Sequence, residues 1–402
     1  MDMTSIEHEV VAARAKHQDA MLAISHDIHR RPEVAFEESF AHDVLTDFLE
    51  HQGFTLERSA FGLETAFRAV LSNGSGPRIG LVCEYDALPE IGHACGHNVI
   101  AAAGAGAAAI AAELLADRQG TVIVLGTPAE ESGAGKVLML ERDAFAGLDA
   151  AMMVHPAGRD LTHMNAVAIE RRKVTYHGRA AHAAAAPDQG LNALDAAVLG
   201  YMNVAALRQH LKADERVHGV ITNGGVRANV VPELAEAEWF TRSPSLDGLH
   251  ELSRRVQICL EAGANAAGCT CIEEPIGRVY QDLRSDADLV TRYVEAAALF
   301  GRLVEVPNST TRVVGSTDMG NVSHVVPSIH PMIKAAPDEV SLHTRDFADY
   351  AGGPDGDRAV LDGAGILASV VGSILRHGPD QESRPPTPQR QAATGGHLAS
   401  DS

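Results

Sequence analysis

Residues 93–97 read His93-Ala94-Cys95-Gly96-His97. A thiol and an imidazole two residues apart can face one small volume where a strand gives way to a helix. Cys, His and carboxylate are the ligands that zinc prefers. More donors of these types follow: Glu130 and Glu131 in Pro128-Ala129-Glu130-Glu131, and His155 after Ala150-Ala151-Met152-Met153-Val154. With a thiolate or carboxylate as bridge, such donors could hold two divalent ions roughly 3.5–4 Å apart, which polarise a scissile carbonyl and acidify a shared water. Neighbouring residues at a strand end diverge. Glu131 can therefore bind metal while Glu130 faces the water and takes its proton as general base.

Each residue alone has a plainer explanation. A lone Cys is usually a small buried hydrophobe, and adjacent acids often start a helix, where they favour its dipole. A Cys95 nucleophile with a His base is a rival chemistry, but it leaves both glutamates and His155 without work. A protein that binds metal and an acyl-amino acid without cleaving it is a third reading.

Position joins the donors. Residues 79–85, 121–126 and 150–154 are apolar runs that read as buried strands, and His93–His97, Glu130–Glu131 and His155 each follow one. In a parallel α/β sheet, sites gather outside the carboxyl ends of the strands. Helical spacing marks residues 7–28 and 37–52, with Gly53 as a C-terminal stop. From about residue 167 the texture changes. Strands are expected at 167–176, 217–224, 230–242 and 270–280, and helices at 190–211 and 246–264. That order is the ferredoxin-like plan. A helix at 286–300, a strand at 328–334 and a closing helix at 356–376 return to the first pattern. The expected fold is thus α/β, a mixed, largely parallel sheet with flanking helices, carrying an inserted ferredoxin-like α+β domain. The divisions fall at 1–165, 166–283 and 284–377, and the Pro-, Gln- and Ser-rich tail 378–402 is expected to be disordered.

A net charge of −20 argues against nucleic acid or an anionic membrane as partner. No long uncharged apolar run predicts a membrane span. The N-terminus lacks the plan of a secretory signal, and five cysteines in 402 residues make no disulfide framework. A reducing, cytoplasmic setting is expected.

Nine segments, taken in order, resemble one family: His29-Arg30-Arg31-Pro32-Glu33, Asp86-Ala87-Leu88-Pro89, residues 93–97, residues 128–131, His155, Gly178-Arg179-Ala180-Ala181-His182, Asn229-Val230-Val231-Pro232, Gly315-Ser316-Thr317-Asp318 and Leu342-His343. The chain is similar to the co-catalytic zinc metallopeptidases of the aminoacylase and carboxypeptidase G type. Within them it looks most like the amidohydrolase branch of hippurate, indole-acetyl-amino-acid and aminobenzoyl-glutamate hydrolases. Asn98 stands where most of that branch has Asp, and Glu84-Tyr85 precedes Asp86 where Arg-Ala-Asp-Met is usual. Asn98 together with Gly315-Ser316-Thr317-Asp318-Met319-Gly320-Asn321-Val322 looks most like the aminobenzoyl-glutamate hydrolase and dipeptidase subgroup, which handles both acidic and basic side chains.

The resemblance implies a zinc exopeptidase-like catalytic domain with two metal ions, zinc first, with manganese, cobalt or nickel as alternatives. It implies an inserted lid that also forms a homodimer, and an N-acyl amino acid or dipeptide as substrate. Cys95 would bridge the metals, with His97, Glu131, His155 and His343 as the other ligands and Glu130 as base. His182 would reach from the lid into the partner subunit's site to hold the oxyanion. Asn229 and Arg242 would bind the substrate's backbone or carboxylate, Ser316, Thr317 and Asp318 would line the pocket, and Asp86 would orient a ligand.

Overall fold

The computed structural model describes residues 4–308 and 314–377. The tail at 378–402 lies outside the described residues. The chain opens with α1 (Thr4–Arg30) and α2 (Ser39–His51), and Gly53, at φ 87°, turns it out of α2. Then come β1 (Thr55–Arg58), β2 (Phe67–Asn73), β3 (Arg78–Glu84), α3 (His97–Leu115), β4 (Gly120–Thr127), α4 (Gly135–Leu140), β5 (Ala150–Met152) and β6 (His155–Ala157).

After the short β7 (Asn165–Ala166) the ferredoxin-like insert follows as β8 (Ala168–His177), α5 (Ala193–Arg208), β9 (Arg216–Asn223), β10 (Leu234–Ser243), α6 (Leu246–Ala266) and β11 (Thr270–Pro275). The chain ends through α7 (Ala287–Leu299), β12 (Val314–Gly315), α8 (Met319–Ser323), β13 (Ser328–Ile329), β14 (Met332–Lys334), α9 (Arg345–Ala351) and α10 (Pro354–His377).

The main sheet has the order β1-β2-β4-β3-β5-β13. Strands β4, β3, β5 and β13 are parallel, with β13 at one edge, and β2 and β1 add an antiparallel pair at the other. Glu84 pairs with Thr127, so β3 and β4 end level. Both faces of these strands are buried, which explains their unbroken apolar runs. The core lies between this sheet and α1, α3 and α10. Small residues let α3 sit close: a Cβ on Gly106 would fall 2.1 Å from Met21 Sδ. By length and composition α3 and α10 could each cross a membrane, but their apolar windows are 89% and 83% buried in this core.

The insert is a four-stranded antiparallel sheet of order β11-β8-β10-β9. Alternation in β10 puts Ala235, Ala237 and Trp239 against α5 and α6 and turns Glu236, Glu238, Phe240 and Arg242 outward.

Four expected elements are shorter than the pattern suggested. The strand at 230–242 starts only at Leu234, because Pro232 lacks an N–H for the ladder. The strand at 270–280 stops at Pro275, and Tyr280 pairs with Ile169 as an isolated bridge. The strand at 328–334 is two pieces, β13 and β14, broken at His330-Pro331. The helix at 190–211 begins at Ala193, where the Asn192 side chain accepts from the Leu194 and Asp195 amides.

Candidate metal centre and active site

The carboxyl ends of the parallel strands converge on one site. β3 leads into Asp86, β4 into Glu130 and Glu131, and β5 into His155. Cys95 and His97 arrive at the start of α3. Gly96 takes φ 75° there, and a Cβ on it would lie 2.5 Å from Pro156 Cγ, so only glycine lets the turn approach His155. His343 comes from the loop before α9, its amide bonded to the Ala94 carbonyl at 2.9 Å. It holds φ 61°, a strained conformation for a non-glycine residue of the kind that clusters at functional sites.

The donor atoms form three groups, each within 4.8 Å: Cys95, His97 and His155; Cys95, Glu131 and His343; His97, Glu130 and Glu131. Cys95 Sγ lies 3.4 Å from His155 Nε2, and His97 Nε2 and His343 Nε2 lie 3.8 and 3.5 Å from Glu131 Oε1. Cys95, His97 and Glu131 each belong to two of these groups.

Both buried histidines are oriented by their other nitrogen. His97 Nδ1 is 3.1 Å from Asp86 Oδ1, and His155 Nδ1 is 2.8 Å from the Pro156 carbonyl. With the proton on Nδ1 donated to these acceptors, each Nε2 carries a free lone pair toward the centre. His97 Nε2 and Glu131 Oε1 are buried without a hydrogen-bond partner, a cost that divalent ions would remove. The donor set fits two such ions.

The loop carrying Glu130 is clamped from three directions. Glu38 Oε1 accepts from the Ala129 amide at 2.9 Å, Asp86 Oδ2 from the Glu131 amide at 3.0 Å, and Tyr280 Oη donates to the Glu130 carbonyl at 2.8 Å. Ala129 itself is held at φ 60°. Helix α4 starts only at Gly135, so the two acids do not begin a helix. Burial, then the nearby Glu84, Glu131 and Asp318 carboxylates, hold the Glu130 carboxyl well above its usual range. Burial, then Glu131, likewise push the Cys95 thiol up.

Other expected residues are placed less centrally. Ser316 Oγ donates to the Val167 carbonyl, and Thr317 Oγ1 accepts from the Met319 amide, so both hydroxyls are engaged by backbone. Asp318 does not line a pocket. It is fully buried, and its two oxygens take Lys136, the backbone amide at 2.9 Å and Nζ at 2.6 Å. His182 and Asn229 are exposed and adjacent on the insert, where Ala183 N donates to the Asn229 carbonyl. The Ala184 and Ala185 amides donate to His182 Nδ1, which leaves the proton of the neutral ring on Nε2. Neither residue joins the donor groups of its own chain. Arg242 is half-buried on the outer sheet face.

Sequence reasoning missed Glu38, Lys136, Tyr280 and His330. Lys136 Nζ also sits 2.6 Å from Glu84 Oε1, and all three side chains of this Glu84–Lys136–Asp318 set are buried. His330, at the end of the fourth parallel strand, packs 5.3 Å from His155 ring to ring, and neither nitrogen has a partner. A signal existed: Ile329-His330-Pro331 repeats the Val154-His155-Pro156 pattern.

The model of peptidase family M20/M25/M40 matches residues 81–349, most of the chain and all five donors. The chain belongs to this family. Among M20 relatives, an Xaa-Arg dipeptidase of Mus musculus is 41% identical over 367 residues, covering 88% of this chain and 85% of the relative. A p-aminobenzoyl-glutamate hydrolase polypeptide of Escherichia coli is 34% identical over 281 residues, covering 64% of this chain and 57% of its own length. A dinuclear metal binding M20 peptidase from Bacillus subtilis superposes with a TM-score of 0.71 over 91% of this chain and 99% of its own, at 19% identity. That last likeness speaks for the fold.

Proposed function

We propose that this M20 chain is a dinuclear metal-dependent amidohydrolase, cleaving the amide between an acyl, aroyl or aminoacyl group and a free amino acid. The observation that carries it is the meeting of Cys95, His97, Glu131, His155 and His343 beside Glu130 at the ends of parallel strands. When bound, the metal pair supplies Lewis acidity to the scissile carbonyl and to a water. Glu130 takes a proton from that water at a carboxylate oxygen and returns it to the leaving nitrogen, so that amine and acid part. Asp86 keeps His97 and the Glu131 amide in register.

Dipeptides are the first substrates to try, because similarity to the Xaa-Arg dipeptidase spans nearly the whole chain. Aroyl-glutamates come second. Thiolate, imidazole and carboxylate together favour zinc, with manganese, cobalt or nickel as alternatives. Five unpaired cysteines suit a reducing, cytoplasmic setting.

The insert acts as a lid and as the dimer contact. Val198 and Met202 on α5 and Val220 on the edge strand β9 are 44–60% exposed and line one groove, an unpaired strand edge beside apolar side chains. Dimerisation there would let His182 and Asn229 serve the partner's site. His182 Nε2–H would then donate to the oxyanion, and Arg242 would hold the substrate carboxylate.

The test is Glu130→Gln. Turnover of dipeptides should fall about 10²–10⁴-fold while metal content stays at the wild-type level. Full turnover in that variant would remove Glu130 from the reaction.

A further inference from the structure

His29, which opens the first family segment, and Asn98, which departs from the branch's usual aspartate, both hold one short helix. His29 Nε2–H donates to the Ala348 carbonyl at 2.8 Å, and Asn98 Nδ2 donates to the Ala351 carbonyl at 3.0 Å. Both acceptors lie in the last turn of α9, where carbonyls run short of backbone donors. His29 also packs against the turn that follows, since a Cβ on Gly352 would fall 2.5 Å from its ring.

The helix matters for what precedes it. Thr344 caps α9 by accepting from the Phe347 amide, and the residue before Thr344 is the donor His343. His343 is the least sheltered donor: its side chain is 53% exposed and its backbone is held at φ 61°. A strained residue keeps its place only when its surroundings impose it. One support is the bond from its amide to the Ala94 carbonyl. The other is α9, whose Phe347 is fully buried beside Gly96.

The acceptor explains why residue 98 is an amide. A backbone carbonyl only accepts, so the side chain facing Ala351 must donate. A carboxylate there would set oxygen against oxygen. Asn98 is fully buried, its Nδ2 also donates to Ser25 Oγ on α1 at 2.9 Å, and its Oδ1 has no partner among the described residues. The side chain is thus engaged through its donor end. Because Asn98 follows His97 in the first turn of α3, its bond to α9 sets the spacing between His97 and His343.

We propose that Asn98 and His29 are positioning residues that hold α9 by its last carbonyls, fix His343 against Cys95 and Glu131, and so set the affinity of one of the two ions. This rests on the two-metal reading of the site.

The test is zinc titration of the stripped full chain in competition with a chromophoric chelator. The wild type should take up two ions per chain. Asn98→Asp, and separately His29→Phe, should keep one ion at wild-type affinity and bind the other about 10–100-fold more weakly. His29→Gln, which retains an N–H donor, should recover part of that loss. His343→Ala should weaken the same ion, and adding Asn98→Asp to it should weaken that ion no further, because both changes act through one side chain. If Asn98→Asp does not fold, Asn98→Ala takes its place. A merely structural role would weaken both ions alike or add to the His343→Ala loss, and either result overturns the proposal. A wild type that binds fewer than two ions overturns the two-metal reading and this proposal with it. Two ions in the wild type, with neither weakened in Asn98→Asp and His29→Phe, overturn this proposal alone.

Discussion

Asp86 serves two groups at once: one oxygen fixes the His97 ring and the other the Glu131 amide. Asp86→Ala should therefore weaken metal binding about 10–100-fold while leaving all five donors in place. Competition against a graded chelator reads this directly, and unchanged affinity would argue against the orienting role. Lys136 is the reverse case, a buried cation flanked by Glu84 and Asp318 at 2.6 Å each. Burial works against its charge, but the Asp318 and Glu84 carboxylates more than offset this and keep it protonated. Lys136→Met would leave two buried carboxylates without a counter-charge, and a loss of about 3–5 kcal/mol in denaturant unfolding is expected. The clustering of the proposed metal donors was legible in the sequence, because Cys, His and Glu at strand ends advertise their chemistry. Lys136 was not. Nothing local to residues 131–140 says that an aspartate 182 positions away will receive it.

At the level of elements, the strand–turn–helix passage through residues 93–97 and the loop after β4 decide whether the donors meet. Gly96→Ala would place a Cβ 2.5 Å from Pro156 Cγ and demand a left-handed alanine, so this variant should fold less stably and lose metal. Glu38 secures the other loop from the start of α2. It is fully buried, and burial, only partly offset by the Thr65 hydroxyl, pushes its carboxyl up to about 7 from 4.5. The folded state then binds this proton more tightly than the unfolded chain does. Its contribution is most favourable below about pH 4.5 and is lost as pH rises through about 7, by roughly 3 kcal/mol in all. Glu38→Gln should flatten thermal stability against pH across that window, and an unaltered profile would show that Glu38 titrates normally. Parallel strands and their ends were readable because strands buried on both faces give unbroken apolar runs. The clamps on the base loop were not, since Glu38 and Tyr280 lie 91 and 150 residues from the groups they hold. Boundaries moved where Pro232, Pro275 and Pro331 cut strands short.

For the whole molecule, a single chain brings together the proposed metal donors and base but leaves His182 and Asn229 exposed on the insert. The dimer proposed through α5 and β9 would bring a second chain's pair to this site. A charged substitution at Met202 or Val220, which are 60% and 56% exposed, should yield monomers with normal metal content. Turnover should fall at least about 100-fold, the cost of losing an oxyanion donor. Sedimentation paired with an activity assay checks this, and a fully active monomer would contradict it. The most direct test of the central claim is metal stoichiometry. After stripping, reloading with zinc and dialysis, the protein should carry about two ions per chain and regain dipeptide hydrolysis in step with them. One ion or none at full activity, or hydrolysis that survives complete stripping, would contradict the account.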